Sequence, residues 1–416
     1  MSYDQIDDLD ADGRTQEELV AVGRRTMSKN FRQAPVVFVR GEGMYVWDKA
    51  GKRYLDFVGG IAVNGLGHSH PRVVDAVQRQ VRQLMHVSNL YFNEPQVRIS
   101  EALAARYEAA AGKPGLVYLC NSGTEATEAA LKLVRRYATK TLGQPDRSNV
   151  VSFTQSFHGR TMFALAATGQ PKYHEGYTPL VPGFSYAAFN DLESVSRLVD
   201  QNTCAVILEP IQAEGGIILP APGFLADVAR LCRERGALLI LDEVQVGIGR
   251  TGTFFAFEQE GVVPDVITLA KSLGAGFPIG AMISTEEAAR GFEPGAHGST
   301  FGGNAVGCRA ALAVMDVIEQ DGLCDHVRRQ GAWFLEALDG LKRFPVVSGA
   351  RGRGFILGLG LNKPVAQEIT LACLERGLLV NKLNDTSLRF LPPLIAQRAH
   401  MRAALETLTE VLEATA

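Results

Sequence analysis

Two residues in this chain have the type and the placing to do chemistry together. Lys271 follows the apolar run Val266 to Ala270, and Asp242 follows the run Ala237 to Leu241 just before it. A lysine drawn out of water gives up its proton well below its ordinary value of about 10.4, and then serves as a base or forms a Schiff base with a carbonyl. A carboxylate at the next strand end can keep a ring nitrogen protonated. Two further runs end in polar residues: Leu116 to Cys120 leads into Asn121, Ser122, Gly123, Thr124 and Glu125, and Ala205 to Leu208 into Glu209. Taken singly, such residues are what any strand shows where it meets the surface. Taken together, with carboxylates and one lysine among them, they describe a site. Ser122 with Glu125 three positions on reads as a capping box at a helix start. Gly123 in the same turn lets a ligand approach the backbone, where the free amides suit a phosphate.

The elements that must carry these residues can be read from the same pattern. Apolar runs at Leu116–Cys120, Val150–Phe153, Ala205–Leu208, Ala237–Leu241, Val266–Ala270 and Ala281–Ser284 alternate with helical segments. Continuous apolar strands between helices predict an α/β fold with a mostly parallel sheet covered on both faces, and ligands then bind beyond the strands' carboxyl ends. Helices are expected over Glu125 to Tyr137 and over Phe224 to Arg235, the second stopped by Gly236. Residues 1–35 read as an acidic lead, Asp4 to Asp12, followed by a helix from Glu17 to Lys29. Val36 to Leu55 reads as short hairpin strands. Beyond about residue 310 come amphipathic helices and short strands at Phe355–Leu361, Leu378–Val380 and Ser387–Phe390. The expected division is 1–75 as part of a small domain, 76–310 as the large domain and 311–416 as the rest of the small α/β domain.

Composition narrows the function. At 46% hydrophobic and 21% charged, the 416 residues form an ordinary folded protein. The net charge of -3 gives no footprint for nucleic acid. The six cysteines contain no CxxC pair, so no metal site or disulfide framework is expected and a reducing cytoplasm fits. The acidic start is unlike a signal peptide, and no run approaches the roughly 18 apolar residues of a membrane span. Gly247, Gly249 and Gly252 match GxGxxG, but Thr253 to Phe257 follow instead of a helix start, so the dinucleotide reading fails. The triplet Asn384, Asp385, Thr386 is a chance match to a glycosylation site.

A Schiff-base lysine with a carboxylate for a pyridinium nitrogen is what pyridoxal phosphate asks of its protein. The stretches Leu241 to Gln245, Gly249 to Gly252 and Thr268 to Lys271 resemble the signature of the class III aminotransferases of the fold type I group. The resemblance runs from about Gly41 to Leu394. It implies pyridoxal 5'-phosphate as cofactor, with Lys271 as the Schiff-base lysine and Asp242 as the partner of the ring nitrogen. Ser122, Gly123 and Thr124 would hold the phosphate, Phe157 and Val244 the two ring faces, and Gln245 the ring hydroxyl. Thr300, in the block His297 to Asn304, resembles the threonine that reaches the phosphate of the neighbouring subunit, which implies a homodimer with shared sites. Arg160 resembles the arginine that takes a substrate carboxylate. Arg389 resembles the one that takes the α-carboxylate of 2-oxoglutarate or glutamate, with Glu214 as its switchable partner.

Within the family, Ile61 stands where members acting on ornithine typically carry tyrosine. The blocks Ser88 to Pro95 and Ala166 to Tyr173 point to N-acetylornithine as donor, a reaction of arginine biosynthesis. 4-Aminobutyrate, succinylornithine and ornithine are the alternatives, and an aminomutase is more remote. Ala305 and Val246 depart from the usual pattern and are expected to lie behind the residues that touch ligand. A binding scaffold without turnover is the reading from another class, and intact Lys271 and Asp242 argue against it.

Overall fold

The computed structural model describes residues 13–415. The acidic lead expected at Asp4 to Asp12 lies outside the described residues, and a helix follows over Gln16–Thr26, three residues shorter at its end than expected. Three short strands come next, β1 (Phe38–Glu42), β2 (Tyr45–Asp48) and β3 (Arg53–Asp56), paired antiparallel in that order.

The central sheet takes seven strands: β4 (Gly115–Cys120), β5 (Asn149–Phe153), β6 (Phe184–Ala187), β7 (Thr203–Leu208), β8 (Leu238–Asp242), β9 (Val266–Leu269) and β10 (Gly280–Thr285). Their spatial order is β4-β10-β9-β8-β7-β5-β6. The inner strands pair in parallel, while β10 runs antiparallel to both β9 and β4. The mostly parallel expectation therefore holds, with one reversed strand, Ala281–Ser284, that periodicity could not orient. β6 was not expected: Phe184 to Ala187 is a half-exposed edge strand whose alternating Ser185 breaks the apolar run. Every residue of β7, β9 and β10 is buried, as it must be in strands covered on both faces.

The last five strands are β11 (Val347–Arg353), β12 (Ile356–Leu361), β13 (Leu378–Leu379), β14 (Asn381–Asn384) and β15 (Ser387–Phe390). β11 and β14 were not expected; polar and glycine residues dominate both. β13 pairs in parallel with β3, so the smaller unit draws on both ends of the chain. Phe57, just after β3, packs edge-on against Phe334, with centroids 5.5 Å apart, and Phe334 packs against Phe390 of β15 at 6.0 Å. All three rings are at most 1% exposed. Burial of each stabilises by about 1.5–3 kcal/mol, which fixes β15, and Arg389 within it, inside the smaller unit that both chain ends build.

Candidate active site

The carboxyl ends of β4, β5, β7, β8 and β9 border a cavity of about 450 Å³. Ser122, Gly123, Thr124, Phe157, Arg160, Glu214, Asp242, Val244, Gln245 and Lys271 all line it. Val246 lines it too, which corrects the expectation that it lies behind the site; Ala305 is buried at the start of a helix and does not line it. Thr300 and Ile61 are exposed and are not brought to the cavity of their own chain.

Lys271 sits two residues past the end of β9, opening a turn over Lys271–Leu273 rather than ending the strand. Its φ is +48°, a left-handed conformation that costs energy for a side chain of this kind. The turn is held from below by Ser272, whose hydroxyl donates to the carbonyl of Ala62 at 2.7 Å. Burial drives the ammonium's pKa down to about 8, against the pull of the Glu214, Asp242 and Glu209 carboxylates, with Arg389 adding to the depression.

Asp242 closes β8 and is 5% exposed. Its Oδ1 accepts from the Val244 amide at 3.0 Å, and its Oδ2 lies 2.7 Å from Nδ1 of fully buried His158. With a carboxylate as its partner, Nδ1 is assigned the proton. Glu209, at the end of β7, accepts from the amides of Phe157 and Ala213, each at 3.0 Å; burial pushes its carboxyl up to about 7. Glu209 stands out in the sequence as a strand end, but nothing in residue type alone says that its loop and that of His158 converge on Asp242.

The phosphate-type pocket is the start of the helix Gly123–Arg136. The capping box closes differently from the expectation. Ser122 Oγ accepts from the Glu125 amide at 3.3 Å, but the Glu125 carboxylate returns to the amide of Asn121 and the hydroxyl of Ser122, each at 2.9 Å. Glycine is required at two places here. A Cβ on Gly123 would stand 2.7 Å from Cγ1 of Val244, and one on Gly159, whose φ is +136°, would stand 2.3 Å from Oγ1 of Thr124. The first contact closes the helix start onto the turn after Asp242, and the second onto the loop that carries Phe157 and Arg160. The Arg160 guanidinium lies 3.9 Å from the Tyr173 ring centroid and 5.5 Å from that of Phe157, an arrangement that orients an otherwise exposed cation.

On the opposite side, Glu214 forms an ion pair with Arg389, which is only 1% exposed and lies behind it, off the cavity wall. Burial raises the Glu214 carboxyl most of any single cause, but Arg389, Lys271 and Gln245 together outweigh it and hold the group below its ordinary value. Gln245 bridges the pair, donating to Glu214 at 3.2 Å and accepting from Arg389 at 3.0 Å. Asn381, which the sequence reading passed over, accepts two more guanidinium bonds. No α-helix opens on the Gly247–Gly252 loop; a single 3-10 turn, Ala256–Gln259, follows it. Instead Arg250, fully buried, donates to the carbonyls of Phe355 and Pro392 and ties the two domains together.

A buried amine of lowered pKa, a fixed carboxylate beside it, anion-ready amides and a masked arginine are the parts of an amino-transfer site. Residues 26–412 match the family model of class III aminotransferases, and the chain belongs to that family. It is 48% identical to the acetylornithine aminotransferase of Aquifex aeolicus, over 93% of this chain and 99% of the relative. The acetylornithine aminotransferase of Methanocaldococcus jannaschii is 43% identical, over 95% and 98% of the two chains. Among solved structures, an ornithine aminotransferase from Toxoplasma gondii with PLP at partial occupancy in its active site superposes with a TM-score of 0.93 at 31% identity, covering 100% of this chain and 98% of that one.

Proposed function

We propose that this aminotransferase moves the terminal amino group of N-acetylornithine to 2-oxoglutarate, giving the acylated semialdehyde and glutamate, with pyridoxal phosphate as cofactor. The observation that carries this reading is one cavity lined by Lys271, Asp242 and Glu214, with Arg389 paired to Glu214 just behind its wall. The relatives named for acetylornithine, at 43–48% identity over nearly their whole length, support the donor.

The residues fit the cofactor by their chemistry: a desolvated amine, a carboxylate already oriented by His158, and a glycine at a helix start with no room for a side chain. Pyridoxal phosphate would supply a carbonyl to take up the amine and a ring that withdraws electrons from the reacting carbon. The amides opening the helix at Gly123 and Thr124, with Ser122 beside them, would hold its phosphate. Phe157 and Val244 would cover its ring, and Gln245 would reach its hydroxyl. Asp242 holds a proton at the ring nitrogen. Lys271, neutral above about pH 8, takes the proton from the donor carbon that bears the amine. Arg160 binds the donor's carboxylate. Glu214 covers Arg389 in the donor half-reaction and yields it to the α-carboxylate of 2-oxoglutarate in the other.

A homodimer with shared sites is part of the same reading. Leu90 is 84% and Phe92 is 92% exposed, a degree unusual for large apolar side chains. Asn89 beside them donates to the carbonyls of Ser299 and Gly302, which flank Thr300. A partner covering this patch would receive Thr300 at its own phosphate pocket. Residues 1–75 and 311–416 would then form the small domain and 76–310 the large one. The absence of any cysteine pairing among the described residues fits a cytoplasmic enzyme of arginine biosynthesis. The test is a donor panel with 2-oxoglutarate as acceptor. N-acetylornithine is expected to give the highest kcat/KM, and a higher value for 4-aminobutyrate, ornithine or succinylornithine overturns the donor assignment.

A further inference from the structure

Arg389 is held on two edges by different chemistry. On one, Nη1 meets the Glu214 carboxylate and the Gln245 amide oxygen. On the other, Asn381 Oδ1 accepts from Nε at 3.0 Å and from Nη2 at 2.7 Å. Asn381 lies directly opposite Arg389 in the β14–β15 ladder, so the sheet register itself sets this contact. Among the described residues, Glu214 is the one carboxylate paired with Arg389.

We propose that Asn381 is a positioning residue for the acceptor subsite: it fixes the plane of the Arg389 guanidinium through a neutral oxygen, leaving the cation's full charge and its Nη1 edge for Glu214 or a substrate carboxylate. This rests on the reading of Arg389 as the acceptor-binding arginine. A guanidinium left without this clamp could turn about its side-chain torsions, and a bidentate carboxylate contact depends on its plane. A carboxylate at position 381 would clamp it equally well but would neutralise it. An incoming α-carboxylate would then have to displace Glu214 and also share the arginine with a second fixed anion, in a site where Arg389 is 1% exposed and screening is weak. Neutrality at this position is therefore as important as the hydrogen bonds.

The test compares Asn381→Asp, Asn381→Ala and Arg389→Lys in the holoenzyme, by KM for each substrate and by calorimetric binding of glutarate, a dicarboxylate that cannot be transaminated. Asn381→Asp, which preserves shape, is expected to raise KM for 2-oxoglutarate and weaken glutarate by about tenfold or more, the loss of one charge-assisted contact. Its kcat at saturation and its KM for N-acetylornithine are expected to stay within about twofold, because the donor half-reaction keeps Arg389 covered. Asn381→Ala is expected to show the same selectivity with a smaller effect. If Arg389→Lys raises the 2-oxoglutarate KM while both Asn381 variants bind 2-oxoglutarate and glutarate normally, the role of Asn381 is overturned alone. An equal rise for both substrates overturns it as well, since that is loss of general packing. If Arg389→Lys leaves the 2-oxoglutarate KM unmoved, the acceptor reading itself falls.

Discussion

Replacing Gly123 with alanine is a one-carbon test of the cofactor pocket. Gly123 opens the helix Gly123–Arg136 without a left-handed φ, so alanine suits the backbone there and the perturbation is purely steric. The new Cβ would stand 2.7 Å from Cγ1 and 3.0 Å from Cγ2 of Val244. Val244 is β-branched and stiff at χ1, so it must move as a unit toward the cavity it lines. Overpacking of this kind costs about 1–3 kcal/mol, and a strain that falls on the ring-facing side chain appears as about a ten- to hundredfold loss of cofactor affinity. The assay is titration of the apoprotein with pyridoxal phosphate by absorbance, with circular dichroism to confirm the fold. In the double variant Gly123→Ala, Val244→Ala the clash is gone, so it is expected to bind more tightly than the two single losses together imply. Normal affinity in a folded Gly123→Ala protein, or strict additivity in the double variant, refutes the placement of the ring against Val244.

Other outcomes follow from the same geometry. Lys271→Ala is expected to abolish turnover while leaving glutarate binding intact; substantial remaining turnover with any donor removes Lys271 from the mechanism. Because folding lowers the pKa of Lys271 to about 8, its amine in the apoprotein is charged below that pH and nucleophilic above it. Labelling of Lys271 by an amine reagent, followed by peptide mass spectrometry, should therefore rise through about pH 8, and a midpoint near the ordinary value of about 10.4 would show that burial does not act on it. Phe92→Asp, at a side chain 92% exposed, is expected to yield monomers by sedimentation and to weaken cofactor binding. Dimers with unchanged affinity argue against the shared site.

Much of the site was legible because it is written in strand ends. Asp242 and Lys271 follow apolar runs that had to be buried strands, and in a parallel sheet those ends share one edge, so the two residues were bound to meet. The Ser122–Glu125 helix start was equally local, although the carboxylate's choice of the Asn121 amide over the amide of the capping serine depends on how the preceding strand turns. Asn381 was not legible, because its contact with Arg389 is set by the β14–β15 register and β14 carries no apolar run to announce it. β6 and the reversed direction of β10 were hidden for a related reason: alternation of types gives a strand's faces and not its neighbours. Val246 was expected behind the site and lines it, since the turn after Asp242 runs along the cavity and presents Val244, Gln245 and Val246 in succession.

The most direct measurement follows the amino group itself. The holoenzyme is supplied with N-acetylornithine carrying ¹⁵N in its terminal amine and with unlabelled 2-oxoglutarate, and the products are read by mass spectrometry. The structure predicts that the label appears in glutamate, one atom for each semialdehyde formed, and that Lys271→Ala yields neither product. Label released as ammonium, or glutamate formed without it, would contradict amino transfer at this site.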